Sequence, residues 1–390
     1  MLKPHLAQSP RDSDFVQNPY PFYAQLHAAG GVIWWDDYKM LVFGRFAAVN
    51  AILRDRRFGR APLTAITPPA HLTTFYEYEN RSMLELEGAA HRRLRSLVTR
   101  AFVSRRIDGM RPRIEALAHE LLDRVEAAGQ TNLLTTFCEQ IPVIIIAELL
   151  GLPASAAPDL LRWSHAMVAM YQFGRDRAVE DEAEAAAKAF FAYIEGEVAL
   201  RRAAPREDLL TLLTQPDEKG EVLADADIIT TAILILNAGH EATVHALGNG
   251  VKALLETGAR PDGEDAVGEE ILRYDPPLHM FTRYVYEDMT ISGAPLRRGQ
   301  MIGLSLGAAT RDPGRFDQPD EFMPDRFDPG HVSFGAGAHF CLGAPLARLE
   351  MQVALPILFE RLPGLRLAAT PRCADRYHFR GLERLEVAWS

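Results

Sequence analysis

The chain is poor in cysteine: Cys138, Cys341 and Cys373 are all it has in 390 residues. An odd count with no Cys-x-x-Cys spacing argues against a disulfide framework or a cysteine-rich zinc module and fits a reducing compartment. Long apolar runs are missing too. The strongest, Val143-Ile-Ile-Ile-Ala-Glu-Leu-Leu, is interrupted by Glu148 and is too short to span a bilayer. Residues 1–20, with Pro4, Gln8, Arg11, Asp12 and Asp14, hold no apolar signal core. These absences lead us to expect a soluble, cytoplasmic protein without membrane contact. Positive charge is in deficit, with Lys+Arg 42 against Asp+Glu 52 and a formal net charge of -10, which argues against nonspecific nucleic-acid binding. No Gly-x-Gly-x-x-Gly follows a strand pattern, so no nicotinamide or flavin site is expected. With no linker, repeat or low-complexity tract, residues 1–390 read as a single domain.

Glycine, by contrast, is concentrated where it matters. The stretch His331-Val-Ser-Phe-Gly-Ala-Gly-Ala-His-Phe-Cys-Leu-Gly-Ala-Pro345 places Gly335, Gly337 and Gly343 around His339 and Cys341. Such glycines allow a tight bend and a close approach of backbone to a flat ligand. The residues from Ala344 to Leu355 read as an amphipathic helix with Pro345 in its first turn, which puts Cys341 at a helix N-terminus. Free N–H groups and the helix dipole there favour a thiolate and tune a metal bound to it. For a lone cysteine, an inert buried thiol in a turn is the competing reading.

Other segments carry weaker signals. Asp225 to Glu256 reads as a long helix, so apolar at first that it must be deeply buried. Gly239 weakens its middle, and Glu241 and Thr243 bring in polar groups that are costly unless bonded or useful. His91 and Arg95 share a helical face, a donor pair suited to an anionic ligand, and Glu270 and Arg273 share another. Val32-Ile-Trp-Trp and Lys39-Met-Leu-Val-Phe read as strands, Phe58 to Met83 as a long functional loop, and Ile107 to Leu213 as helices. Tyr377 to Trp389 reads as a hairpin with its tip near Leu382.

The pattern Phe334-Gly-x-Gly-x-His-x-Cys-x-Gly resembles the haem-binding loop of the cytochrome P450 superfamily, the haem-thiolate monooxygenases, at every signature position. His91-x-x-x-Arg95, Ala238-Gly-His-Glu-Ala-Thr, Glu270-x-x-Arg273 and Phe322-Met-Pro-Asp-Arg-Phe327 resemble further family elements in the family's order, so the likeness covers nearly the whole chain. It implies a mainly α fold with small β-sheets, with haem b between the long central helix and the helix after the cysteine loop. Cys341 would be the axial thiolate on iron, favouring O–O cleavage. Phe334, Gly335 and Ala238 would border the haem, and His91, Arg95, Arg283 and His339 would hold its propionates. Glu270, Arg273 and Arg326 would form a structural ion cluster. Glu241 and Thr243 would serve the oxygen-binding groove. There the chain departs from the family, because Ala242 stands directly after Glu241 where a threonine is usual, and Thr243, one residue on, is rotated by about 100°.

The resemblance also places Phe75, Tyr76, Tyr78, Met167, Met170, Tyr171 and Phe173, together with Leu278, His279, Met280 and Phe281, near the substrate pocket. It implies a soluble bacterial-type monooxygenase that uses O2 on a small or medium hydrophobic substrate. Electrons would come from a separate ferredoxin and ferredoxin reductase, with Arg92, Arg93 and Arg100 as a docking surface. The alternatives are a peroxide-driven peroxygenase or haem isomerase, and a non-enzymatic haem sensor or carrier.

Overall fold

The structure is a computed structural model that describes residues 3–100, 102, 107–216, 220–261, 265–326 and 330–390. Phe327, at the end of one family-like element, lies outside them. The central helix, Asp225–Thr257, stops at Gly258, which adopts a left-handed φ of 74° that closes the last turn. Residues 228–237 are buried all round because helices Gln140–Leu150, Ala157–Val168, Arg177–Ala203 and Ala344–Arg361 pack about it. Gln140–Leu150 carries the isoleucine-rich stretch, and nearly every side chain of it lies in the main core. No described helix is long and apolar enough to cross a membrane.

Beside the helices lies a six-stranded sheet in the order His5–Leu6, Val32–Trp35, Met40–Phe43, Met301–Ser305, Met280–Val285, Phe58–Gly59. The Val32–Phe43 hairpin expected from the sequence is its centre, and the parallel pairing of Leu41 with Ile302 ties the first residues to the last third of the chain. The expected C-terminal hairpin forms differently. Leu382–Arg384 pairs with Arg372–Cys373, while Glu386–Ala388 joins Gln130–Asn132 and Arg366–Leu367. Leu382 is therefore in a strand, and residues 374–381 make the turn.

Nor is Phe58 to Met83 a continuous loop, since Thr73–Arg81 is helical. Its first N–H groups find no local cap. Glu184, from helix Arg177–Ala203, accepts from Thr74 at 3.1 Å and Phe75 at 2.9 Å instead. At the other end of this helix the Tyr171 hydroxyl donates to Glu79 at 2.6 Å. Burial, and then the charge of Glu85, push the Glu79 carboxyl up to about 7.

Helix Asp265–Tyr274 carries the charged cluster. Arg273 grips Glu270 with Nε and Nη2, both at 2.7 Å, and Arg326 Nε adds a third bond at 3.0 Å. Glu270 and Arg273 have no exposure at all. The remaining donors of Arg273 go to the carbonyls of Thr310, Pro319 and Glu321, and those of Arg326 to Asp317, Gln318 and Glu321.

Glu270→Ala leaves two buried guanidinium groups without their anion, and should lower the unfolding free energy by roughly 3–5 kcal/mol. A urea midpoint within error of the parent's would contradict this. The folded pKa of Glu79, about 7, lies above the ordinary 4.5, so the folded chain holds a proton that the unfolded chain releases. That contribution is complete below pH 4.5 and is lost as pH rises through 7. Glu79→Gln should therefore gain on the parent in melting temperature across this window, whereas a constant difference would refute the assignment.

Candidate functional site

The cysteine loop bends because two of its glycines are left-handed, Gly335 at φ 69° and Gly337 at φ 70°. A Cβ at Gly337 would lie 2.3 Å from the Leu53 carbonyl oxygen, so the loop can lie on helix Phe46–Arg54 only with glycine there. Gly343 has an ordinary φ of -79° and serves as the residue before helix Ala344–Arg361. The Cys341 N–H donates to the Phe334 carbonyl at 2.9 Å and closes the loop. Burial pushes the Cys341 thiol up, while the backbone N–H groups of Gly343 and Ala344 and the Arg95 guanidinium pull it back. Cys341 itself is half-buried. Cys138 and Cys373 are buried in the core.

The central helix is accessible along one stripe. Ala238 is exposed and Ala242, one turn on, is partly so, in a segment where Asn237, His240, Glu241 and Thr243 are buried. Gly239 serves packing, since a Cβ there would sit 3.0 Å from the Ile146 side chain.

Around the loop gather the residues expected to hold an anion. His91 is 3% exposed, and its Nε2 has no partner. Burial and then the charge of His339 hold it down to about 4, so it is neutral. Its ring centre is 4.4 Å from that of His339, whose Nε2 meets Glu87 at 3.0 Å. Arg95 donates to the Phe340 carbonyl at 2.6 Å. Arg283 is 4% exposed and donates to the Thr282 carbonyl at 2.8 Å, with no carboxylate within 4.0 Å among the described residues. Burial and then neighbouring Arg60 push its guanidinium down to about 10. A buried cation without a counter-ion is costly, and a ligand carboxylate would relieve it. A thiol at a helix start, a buried Arg283 with no carboxylate partner among the described residues, an unpartnered His91 Nε2, and the accessible methyl groups of Ala238 and Ala242 together fit a flat, dianionic, iron-bearing group.

The other expectations divide. Glu241 is 3% exposed and surrounded by histidines: His165 Nε2 at 3.2 Å, His245 Nε2 at 3.3 Å and His240 Nε2 at 3.6 Å. Burial alone would raise its carboxyl, but His165 and His245 hold it well below the usual carboxylate range. Sequence reasoning missed both. The i,i+4 spacing of Glu241 and His245 was a readable signal, whereas His165 arrives from another helix. Of the pocket candidates, Tyr78 lies beside Asn237 of the central helix, and Phe75, Met167 and Met170 are packed in the core. Phe173 is exposed and stacks edge-on with Tyr38 at 4.8 Å. His279 is not a pocket residue. It is fully buried and bonded to the Tyr23 hydroxyl at 2.6 Å, and Met280 packs under the sheet. Leu278 and Phe281 remain half-buried. Arg92 and Arg93 are exposed, Arg93 lying 3.5 Å from Glu221, and Phe340 beside the loop is 39% exposed.

Known proteins match this chain along its length. The family described as Cytochrome P450 matches residues 18–258 and 264–363. The biotin biosynthesis cytochrome P450 of Bacillus subtilis is 34% identical over 98% of this chain and 99% of its own. The mycinamicin IV hydroxylase/epoxidase of Micromonospora griseorubida is 36% identical over 88% of each. The crystal structure of P450BioI in complex with hexadec-9Z-enoic acid ligated acyl carrier protein superposes with a TM-score of 0.92, at 33% identity, over 97% of this chain and 100% of that one. With these matches on top of the loop geometry, the chain belongs to the cytochrome P450 family, whose members bind haem b through a cysteine thiolate.

Proposed function

We propose that Cys341 is the haem thiolate ligand and that the protein is a monooxygenase supplied with electrons by a ferredoxin and its reductase. The observation that carries this is the half-buried Cys341 in its glycine-framed loop just before helix Ala344–Arg361, with the Gly343 and Ala344 N–H groups directed at its sulfur. Bound haem supplies the activation of O2 and the transfer of one oxygen atom to substrate. The residues supply the rest. Gly343 and Ala344 N–H groups temper the charge on sulfur, as outer partners of a metal ligand do. Arg283, His91, Arg95 and His339 would hold the propionates, with His339 anchored by Glu87. Phe334, Gly335 and Ala238 would border the haem. The exposed arginines Arg92 and Arg93 offer an acidic ferredoxin a docking face.

The substrate reading rests on the relatives and on the walls. The names of relatives include hexadec-9Z-enoic acid carried on an acyl carrier protein, mycinamicin IV and polyketide biosynthesis. The interior here is not purely apolar, since Arg60, Glu79 and Tyr171 meet near the covering helix Thr73–Arg81. We read the substrate as an apolar carbon skeleton with at least one polar substituent. At the oxygen end, Ala242 offers only a methyl group, and Thr243 is buried on another face. Glu241 holds the carboxylate for proton delivery, and a substrate hydroxyl or a water fixed by substrate bridges from it past Ala242.

The test is turnover of the haem-loaded protein under 18O2 with ferredoxin, reductase and NADPH, on a long-chain fatty acid, a macrolide and a steroid. Product carrying one labelled oxygen is expected, with more product per electron for substrates that have a polar group near the oxidised carbon. Ala242→Thr should raise that yield most for substrates lacking one. Product formed with peroxide but not with the electron-transfer partners would overturn the monooxygenase reading. Equal coupling for all substrates, unchanged by Ala242→Thr, would overturn the role given to Ala242.

A further inference from the structure

The histidines around Glu241 do more than neutralise it. His240 Nδ1 lies 2.7 Å from the Leu236 carbonyl oxygen, which can only accept, so Nδ1 carries the proton and Nε2 presents a bare lone pair. That Nε2 is buried and has no hydrogen-bond partner, and the same is true of Glu241 Oε2. Both face His165 Nε2, and the three ligand atoms lie within 4.8 Å of one another. Glu241 Oε2 is 3.2 Å from His165 Nε2 and 3.6 Å from His240 Nε2. Tetrahedral zinc with bonds near 2.05 Å separates its ligand atoms by about 3.3 Å, between those two distances. A protonated His165 paired with Glu241 would explain the first contact, but it would leave His240 Nε2 unused in the interior.

From this geometry we infer that His165, His240 and Glu241 form a binding site for a divalent transition-metal cation of the zinc class, with a fourth position open to water. The donor set is two imidazoles and a carboxylate, which suits zinc and its neighbours rather than calcium or magnesium. The outer partners are in place. The Leu236 carbonyl fixes the His240 tautomer, and His245 Nε2 at 3.3 Å from Oε1 orients the carboxylate so that Oε2 is free for metal. His165 gives access, because its side chain is 41% exposed while Glu241 is 4% exposed. Charge favours a cation: Glu139 lies close enough to act on both His165 and Glu241, while Arg376, which opposes, is 4.0 Å from Oε1 and not from Oε2. Metal held there commits the carboxylate that the proposed proton delivery uses, but the site stands on its own geometry whether or not that proposal holds.

The experiment is calorimetric titration of the haem-loaded, chelator-treated protein with zinc chloride, with X-ray absorption at the zinc edge. One zinc per chain is expected, with imidazole and oxygen ligands. His245→Ala should weaken binding roughly tenfold, as loss of an orienting partner does, and His165→Ala or His240→Ala should weaken it further. Half-exposed His165 can be replaced without disturbing the core, which circular dichroism and the haem spectrum verify. His71→Ala, which breaks the distant His71–Glu180 pair at 2.8 Å, should change nothing. No saturable site, or an affinity indifferent to both His165→Ala and His240→Ala, would mean an adventitious ion only and would overturn the inference.

Discussion

One short helix, Asp265–Tyr274, holds the cysteine loop in place by charge. Glu269 meets His331 at 3.3 Å and Arg348 at 2.5 Å, and so joins residues on both sides of the loop. Burial would raise the Glu269 carboxyl, but His331 and Arg348 bring it down to about 2. The next residue, Glu270, binds Arg273 and Arg326, and two residues further the Leu272 carbonyl accepts from Ser333 Oγ at 2.7 Å. Arg326, the start of the loop at His331 and Ser333, and Arg348 in the helix after it are thus fixed to this helix. The loop's left-handed glycines and its fit on helix Phe46–Arg54 settle its shape, and this clamp settles its position.

A contrast between the two sides of the loop explains how such a fold can hold a large ligand. Behind the loop the charges of helix Asp265–Tyr274 are answered, Glu269 by His331 and Arg348 and Glu270 by its two arginines. In front of it, among the described residues, Arg283 has no carboxylate partner, His91 Nε2 has no hydrogen-bond partner and Cys341 is a half-buried free thiol. Unanswered buried groups are costly in the free protein, and each becomes favourable when anion or metal arrives. Stability lost at the site returns as affinity.

The legible part of the sequence was local. The cysteine loop, the helix after it, the central helix and the Val32–Phe43 hairpin were all written in spacing and glycine placement. The unread parts depend on partners distant in sequence. Helix Thr73–Arg81 starts without its own cap because Glu184 supplies one, and a proline-rich approach hid it. His279 sits beside expected pocket residues in sequence, yet it precedes strand Met280–Val285 and the Tyr23 hydroxyl holds it in the core. Leu382 looked like a hairpin tip because the pairing of Cys373 with it could not be seen locally. His165 could not have been linked to Glu241 without the packing of helix Ala157–Val168 on the central helix.

The central claim is that Cys341, and neither other cysteine, binds the iron as a thiolate. It is tested most directly by the absorption spectrum of the reduced carbon monoxide complex, in the parent and in Cys341→His, Cys138→Ser and Cys373→Ser. The account predicts the red-shifted thiolate band in the parent and in both serine variants, and its loss in Cys341→His. A parent spectrum like that of histidine-ligated haem, or a thiolate band that survives Cys341→His, would contradict it.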